Sequence, residues 1–293
     1  MPAKKKGVAS KLRLGIQLMF LLLITLISVN HGLSETGIQI PFIGNPSLHG
    51  ICPFGGVVSL YQLVTTGSLV QKVHEASVVL MALVFFLAVL FGPVFCGWVC
   101  PMGTVQELIG KLGKKLFKKR YNHFVPSRLD GYLRFLRYGV LVWVVYVTAT
   151  SMKLVFSDVD PYYALFNFWT GEVPLTALII LGLTLIASLF IERPFCKYAC
   201  PYGALLGIFN IFRIFGIKRN QNTCINCKAC DRACPMNISV STSTTVRHHQ
   251  CITCLQCTSE TACPVPATVE LMAGNFSLEA KGAQKVSTEG GAQ

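Results

Sequence analysis

Eight of the chain's thirteen cysteines stand in two runs near its end. Residues 224–234 read CINCKACDRAC and precede Pro235, giving C-x2-C-x2-C-x3-C-P. Residues 251–263 read CITCLQCTSETAC and precede Pro264, giving C-x2-C-x2-C-x5-C-P. Thiolates are soft ligands, and a tight C-x2-C-x2-C loop lets three sulfurs grip three corners of an iron–sulfur cubane. In two-cluster sequences of this spacing the fourth ligand comes from the other run. Cys224, Cys227, Cys230 and Cys263 are therefore expected to hold one [4Fe–4S] cluster, and Cys251, Cys254, Cys257 and Cys234 the other. A four-thiolate zinc site also uses C-x2-C pairs. It leaves the third cysteine of each run and the terminal Cys-Pro unexplained. Cluster pairs of this kind pass single electrons, at potentials set by hydrogen bonds, burial and local charge. Lys228, Arg232 and Arg247 lie near the loops and would favour the reduced, more negative cluster.

Four further cysteines form a repeated motif. FCGWVCPMG begins at Phe95 and FCKYACPYG at Phe195, each Cys-x3-Cys-Pro. On a helix, residues four apart share a face, so Cys96 can point with Cys100, and Cys196 with Cys200. Three readings stay open: a further metal or cluster site, a redox dithiol or docking loop, and small buried hydrophobes. The spacing equals that of Cys230 and Cys234, which serve different clusters in the expected pair. Cys52 stands alone in HGICPFGG, and a lone cysteine is more often packed than ligating. Haem fits poorly, since no apolar run contains an internal histidine and His31, His49 and His74 cluster around one loop. His74 and Glu75 sit where a quinone headgroup could hand off protons. A solvated pair at a helix start explains them equally well.

These residues hang on a chain built for a membrane. The 293 residues are 52% hydrophobic and 13% charged, against about a quarter charged in soluble domains. Four runs reach spanning length: residues 14–30, 76–95, 138–156 and 173–191. The third carries Lys153 near its end, where it can snorkel. The first resembles a signal peptide in its basic flank but offers no clean cleavage site. Net charge is +13, yet the basic residues flank apolar runs rather than line a soluble face, which argues against nucleic acid. Lys4, Lys5, Lys6, Lys11 and Arg13 precede the first run, and nine Lys or Arg separate the second from the third. Only Lys72 lies between the first and second, and Asp158, Asp160 and Glu172 follow the third. The positive-inside rule then places both termini, both Cys-x3-Cys-Pro motifs and the cysteine runs in the cytoplasm. Gly92 and Pro93 are expected to kink the chain at the first motif. The two halves look duplicated, and a parallel repeat has its axis along the membrane normal. The segment from Cys52, CPFGGVVSLY, is echoed by DPYYALFNFW from Asp160.

The expected fold is an α-helical membrane protein. Four transmembrane helices form two tandem hairpins, joined to a small α+β ferredoxin domain with two [4Fe–4S] clusters. Residues 1–13 form a basic cytoplasmic N-terminus and 14–192 the transmembrane domain. Residues 193–214 form a linker with an interfacial helix, 215–270 the ferredoxin-type domain and 271–293 a disordered tail.

With FCGWVCPMGTVQE, FCKYACPYGAL, HGICPFGG and the two C-terminal runs in view, the chain resembles the polyferredoxin-type membrane proteins of the NapH-like group. It shares the membrane core of NosR-like and CcoG-like proteins, over roughly residues 12–265. The resemblance implies a multi-pass protein of a prokaryotic cytoplasmic membrane. It also implies electron transfer between the quinone pool or a flavoprotein and a partner reductase. NosR-like proteins carry an extracytoplasmic flavin-binding domain before the spans, and CcoG-like proteins an extracytoplasmic β-domain after the clusters. The plain NapH-like architecture fits best. The CcoG-like resemblance implies an alternative, a copper reductase or assembly factor for a respiratory enzyme.

Overall fold

The computed structural model describes residues 8–35, 75–151, 159–168 and 173–273. Cys52, His49 and His74 lie outside them; of the expected tail 271–293, residues 271–273 belong instead to the last strand, paired in its sheet, and 274–293 lie outside the description.

Helix α1, Val8–Glu35, is 28 residues long, about 42 Å at 1.5 Å per residue. Among the described residues it is the one helix long and apolar enough to cross a membrane, over Ser10–Asn30 with a mean hydropathy of 2.2. Its sidedness is the reverse of a soluble helix. Arg13, Gln17, Ile24 and Ser28 are buried, while Leu18, Met19, Leu22, Leu23 and Leu26 are exposed. The spacing puts the mostly polar set on one stripe.

Two of the other expected spans, the second and the fourth, form helices shorter than composition suggested. Helix α2, Glu75–Phe91, covers 17 residues. It stops where Gly92 takes φ +84° and Pro93 follows, so Gly92 and Pro93 break the helix, as the Gly-Pro kink predicted. Helix α3 is Pro101–Phe117 and α4 is Ser127–Ser151. The expected third run begins eleven residues inside α4, and its last residues, 152–156, lie outside the description. Helix α5 is the short Pro161–Asn167. Helix α6, Leu175–Ser188, has 14 residues, about 21 Å long. Helix α7 is Pro194–Tyr198 and α8 is Pro201–Phe212.

The two halves clasp each other. Helix α3 of the first lies along α6 of the second. Met102 shares a buried cluster with Ala177 and Leu181, and Tyr121 at the end of the α3 segment donates to Ser188 O. Helix α8 of the second crosses α2 of the first. Phe209 meets Phe85 with ring centroids 5.2 Å apart, and Tyr202 meets Phe95 at 5.9 Å. Helix α5 packs inward, its Ala164 in the cluster with Met102 and its Phe166 carbonyl accepting from Ser28 Oγ.

After α8 the chain forms a small α+β module. Strand β1, Phe215–Arg219, is central to an antiparallel sheet ordered β2-β1-β3. Strand β2 is Thr245–Val246 and β3 is Val269–Ala273. Ile217 faces Val246 on one side and Leu271 on the other. One helix, α9 Ala229–Ala233, lies in the first cysteine run.

Many hydrogen bonds seat this module on the helices. Asn210 Nδ2 donates to His248 O at 2.7 Å and Cys251 O at 2.8 Å. Trp98 Nε1 donates to Thr253 O at 3.0 Å, and Thr253 Oγ1 to Phe91 O at 2.8 Å. Asn122 and Asn237 exchange bonds at 2.8 Å. At Gly97 the fit is closest, for a Cβ there would strike the Ile252 carbonyl. Gly97→Ala should loosen the module, at the roughly 1–3 kcal/mol typical of overpacking. The expected result is a lower melting temperature and earlier proteolysis within residues 215–273; unchanged melting would show that the seat has slack.

Candidate metal centre

Each cysteine run repeats one backbone trick. Asn226 and Lys228 adopt φ +53°, and Thr253 and Leu255, at the equivalent positions, adopt +48° and +56°. Non-glycine residues seldom take this left-handed form, and holding one there costs of order 1–3 kcal/mol. Two such residues between three cysteines curl the loop into a cup. Asn237 and Ala267, just beyond each Cys-Pro, are left-handed too, at +51° and +56°.

The cups enclose two voids. Cys224, Cys227, Cys230 and Cys263 line one, with Ile225, Ala262 and Val269. Cys234, Cys251, Cys254 and Cys257 line the other, with Ile217, Met236 and Val246. Each void spans ≈ 330 Å³ of non-atom space, counting the part that opens to solvent. Cys263 thus joins the first run's void and Cys234 the second's. Among the described residues no three His, Cys, Asp or Glu side chains close on a single ion. A zinc site would need four sulfurs about 2.3 Å from one point; a cluster spreads its ligands over several irons. The donor set and apolar walls fit iron–sulfur clusters.

The two voids differ in exposure. Cys227 is exposed, whereas Cys251 and Cys257 are buried. Arg213, 2% exposed, points Nη1 at Cys251 Sγ from 3.7 Å. The cation beside that void therefore comes from the end of α8. Among the three basic residues singled out in the sequence, Arg247 is bonded instead to Ile211 O.

Cys96, Cys100, Cys196 and Cys200 lie on the helical side of the same seat. Phe95–Val99 forms a π-helical turn, and Cys100 N donates to Phe95 O at 2.9 Å, just as Cys200 N does to Phe195 O. The Cys-Pro pair then starts a helix, with cysteine at the N-cap and Pro101 or Pro201 in the first turn, where proline costs no hydrogen bond.

Around this motif runs a buried charge network that sequence reading missed. Glu107 accepts from Arg13 Nη2 at 2.5 Å and Arg193 Nη2 at 2.6 Å. Arg13 also donates to Gly97 O at 3.0 Å, and Arg193 to Cys96 O at 2.5 Å. Burial pushes the Glu107 carboxyl up, but Arg193 and then Arg13 outweigh it and hold the group down at about 2. A second knot joins Asp130 to Lys197 Nζ at 2.7 Å and to Arg134. Burial lowers the Lys197 pKa against the pull of Asp130. Arg13, Arg134 and Arg137 read as loop cations in the sequence. Here Arg13 and Arg137 are 3% and 2% exposed, and Arg134 is tied to Asp130 and Asn237 O. A charge set just before an apolar helix or a cysteine motif was the available signal.

A family model described as a 4Fe-4S binding domain matches residues 73–120 and again 173–219. Each match contains one Cys-x3-Cys-Pro motif. YccM of Escherichia coli is 33% identical over 258 residues, 86% of this chain and 70% of that one. The ferredoxin-type protein NapH of Haemophilus influenzae is 30% identical, over 60% of this chain and 61% of its own. The chain belongs to the NapH-like polyferredoxin family. The regulatory protein NosR of Stutzerimonas stutzeri is 28% identical over 58% of this chain but only 24% of its own length. No solved structure matches. Membership makes this polyferredoxin an iron–sulfur electron-transfer protein. The repeated match also gives the duplication seen in the sequence a structural counterpart, the two halves that clasp.

Proposed function

We propose that the protein is a membrane-bound electron-transfer subunit that passes electrons between the quinone pool or a flavoprotein and a partner reductase, through two [4Fe–4S] clusters. Cys224, Cys227, Cys230 and Cys263 hold one, and Cys234, Cys251, Cys254 and Cys257 the other. What carries this reading is the sorting of eight thiols into two voids, with Cys234 and Cys263 exchanged between the runs. The clusters supply the electron-carrying chemistry. The chain curls its loops around them, excludes water with Ile217, Met236 and Ile252, and fixes charge beside them with Arg213.

The inside-out pattern of α1 supports a membrane setting, since polar side chains in a bilayer face the bundle. Exposed apolar residues on α2, α4 and α6, such as Phe86, Val142 and Ile179, would meet lipid. In this reading four segments, around residues 14–30, 76–95, 138–156 and 173–191, cross or enter the bilayer. The termini and the module of residues 215–270 are then cytoplasmic. In the same reading the cluster held by exposed Cys227 faces the partner.

The test is anaerobic reduction in detergent by a short-chain quinol. The expected result is bleaching of cluster absorbance within the mixing time of seconds, and EPR signals of reduced cubanes. Clusters that dithionite reduces but neither quinol nor reduced flavin does would favour the metal-reductase alternative.

A further inference from the structure

Most buried cations of this protein are matched by a buried carboxylate. Arg13 and Arg193 share Glu107, and Lys197 and Arg134 share Asp130. Arg213, at the C-cap of α8, is buried and differs. Among the described residues no carboxylate lies within ion-pair distance of it. Its Nη1 donates to Thr253 Oγ1 at 3.2 Å and points at Cys251 Sγ from 3.7 Å. Nη2 donates to Val246 O, and the buried Nε has no hydrogen-bond partner. Arg137, the other buried guanidinium without a carboxylate, lies over the Tyr138 ring, 5.1 Å from its centroid. The side chain of Arg213 passes the break after α2. A Cβ on Gly92 would stand 3.2 Å from Arg213 Cδ, so that glycine leaves room for it.

A buried guanidinium without a counter-charge is costly to fold around. The group that faces Arg213 is the void of Cys234, Cys251, Cys254 and Cys257. Four thiolates on a cubane are an anion in both oxidation states, and the added electron deepens that charge. Burial in an apolar pocket therefore makes a cluster harder to reduce, and a nearby cation or water makes it easier. The Cys224 void has water within reach at exposed Cys227. Its wall holds no buried cation: Lys228 is exposed, where solvent ions screen it. The charged group bonded there is Asp231, 3.8 Å from Cys230 Sγ and held by Ser241 N at 2.8 Å. The Cys251 void is shut in by Ile217, Met236 and Ile252, so water cannot do there what it does beside Cys227.

We propose that Arg213 is the counter-charge of the Cys251 cluster and keeps this buried cluster reducible over the same range of potential as the exposed one. The proposal rests on the electron-transfer reading above. Arg213 ligates no metal and carries no electron. It fixes the charge against which one electron from the donor is added, with no bond made or broken. The helical domain thereby acts on the module's chemistry as well as seating it, because the cation belongs to α8 and the sulfur to the cysteine run.

The test is an anaerobic EPR titration of full-length protein in detergent, with dithionite and redox mediators, so that no physiological donor is needed. Cys263→Ala, expected to keep only the Cys251 cluster, and Cys234→Ala, expected to keep only the Cys224 cluster, supply two backgrounds. In the first, Arg213→Gln should move the midpoint to more negative potential. At a fixed potential the ratio of reduced to oxidised cluster should fall on the order of tenfold or more, as for a unit charge removed from a protein interior. In the second, the midpoint should stay. Arg213→Lys keeps the charge and loses the fork, and should recover most of the fall. A midpoint that stays or rises in the first background overturns the proposal. So does a shift in the second, or a lysine variant as low as the glutamine one, the result expected of a merely structural arginine. Should Arg213→Gln fail to fold, protein grown on arginine labelled with heavy nitrogen decides. Its reduced Cys251 cluster should show a hyperfine coupling to nitrogen that Arg213→Lys loses, and absence of that coupling overturns the proposal. A wild type with no reduced-cubane signal would sink the electron-transfer reading itself, whereas signals unmoved by Arg213→Gln sink this proposal alone.

Discussion

Glu107→Ala should be among the most damaging single changes in the helical domain, costing about 3–5 kcal/mol, the range for breaking a buried ion pair. Glu107 is 6% exposed and neutralises two guanidiniums at once. Without it, Arg13 and Arg193 keep their bonds to Gly97 O and Cys96 O but face each other as buried cations. The π-helical turn they hold is also where the module seats, so the loss spreads to residues 251–254. Arg13→Ala should cost less, because Arg193 remains to pair the carboxylate. In thermal melts the Glu107 variant should fall by on the order of 10 °C. A shift of only a degree or two would mean that the network relaxes around the vacancy. Acid should reveal the same group. The folded carboxyl titrates at about 2 against its ordinary 4.5. A depressed pKa stabilises the fold fully above the ordinary value, and that stability drains as pH falls toward 2. The difference between wild type and Glu107→Ala should therefore be constant above about pH 4.5 and shrink below it.

What could be read from the sequence follows from how far apart the interacting residues are. The C-x2-C-x2-C cups are local, since three ligands and their left-handed linkers fit within seven residues, and so spacing alone proposed which cysteines act together. The Gly92-Pro93 kink is local in the same way. The Arg193–Glu107–Arg13 knot joins residues 86 and 94 apart in the chain, and nothing near any one of them names its partners. The lengths of α2 and α6 illustrate a different failure. Hydropathy averages residue types and does not register where a chain stops being helical. A window over 76–95 therefore ran through Gly92, and one over 173–191 through the end of α6 at Ser188. The first turns of α4 misled in the opposite sense. Arg134 and Arg137 count as loop cations in sequence, but the module covers them, through Asn237 and His249.

Cys263→Ala offers the sharpest separation of the two clusters, because its effect should appear in the run it does not belong to. Cys263 follows Cys257 in the chain, yet it lines the void of Cys224, Cys227 and Cys230. Removing it should strip the more exposed cluster, about four irons, and leave the one ringed by Cys234, Cys251, Cys254 and Cys257. Cys234→Ala should do the converse and cost more stability. Its void is walled by Ile217, Met236, Ile238 and Ile252, the buried core of the module, and it abuts the seat on Gly97. The readout is EPR spin count after dithionite reduction, alongside iron analysis. Wild type should show the broadened signal of two coupled cubanes, and each single variant the simpler signal of one. If Cys263→Ala instead spared the Cys224 cluster and lost the Cys251 cluster, each run would be ligating its own metal. The crossed arrangement would then be wrong.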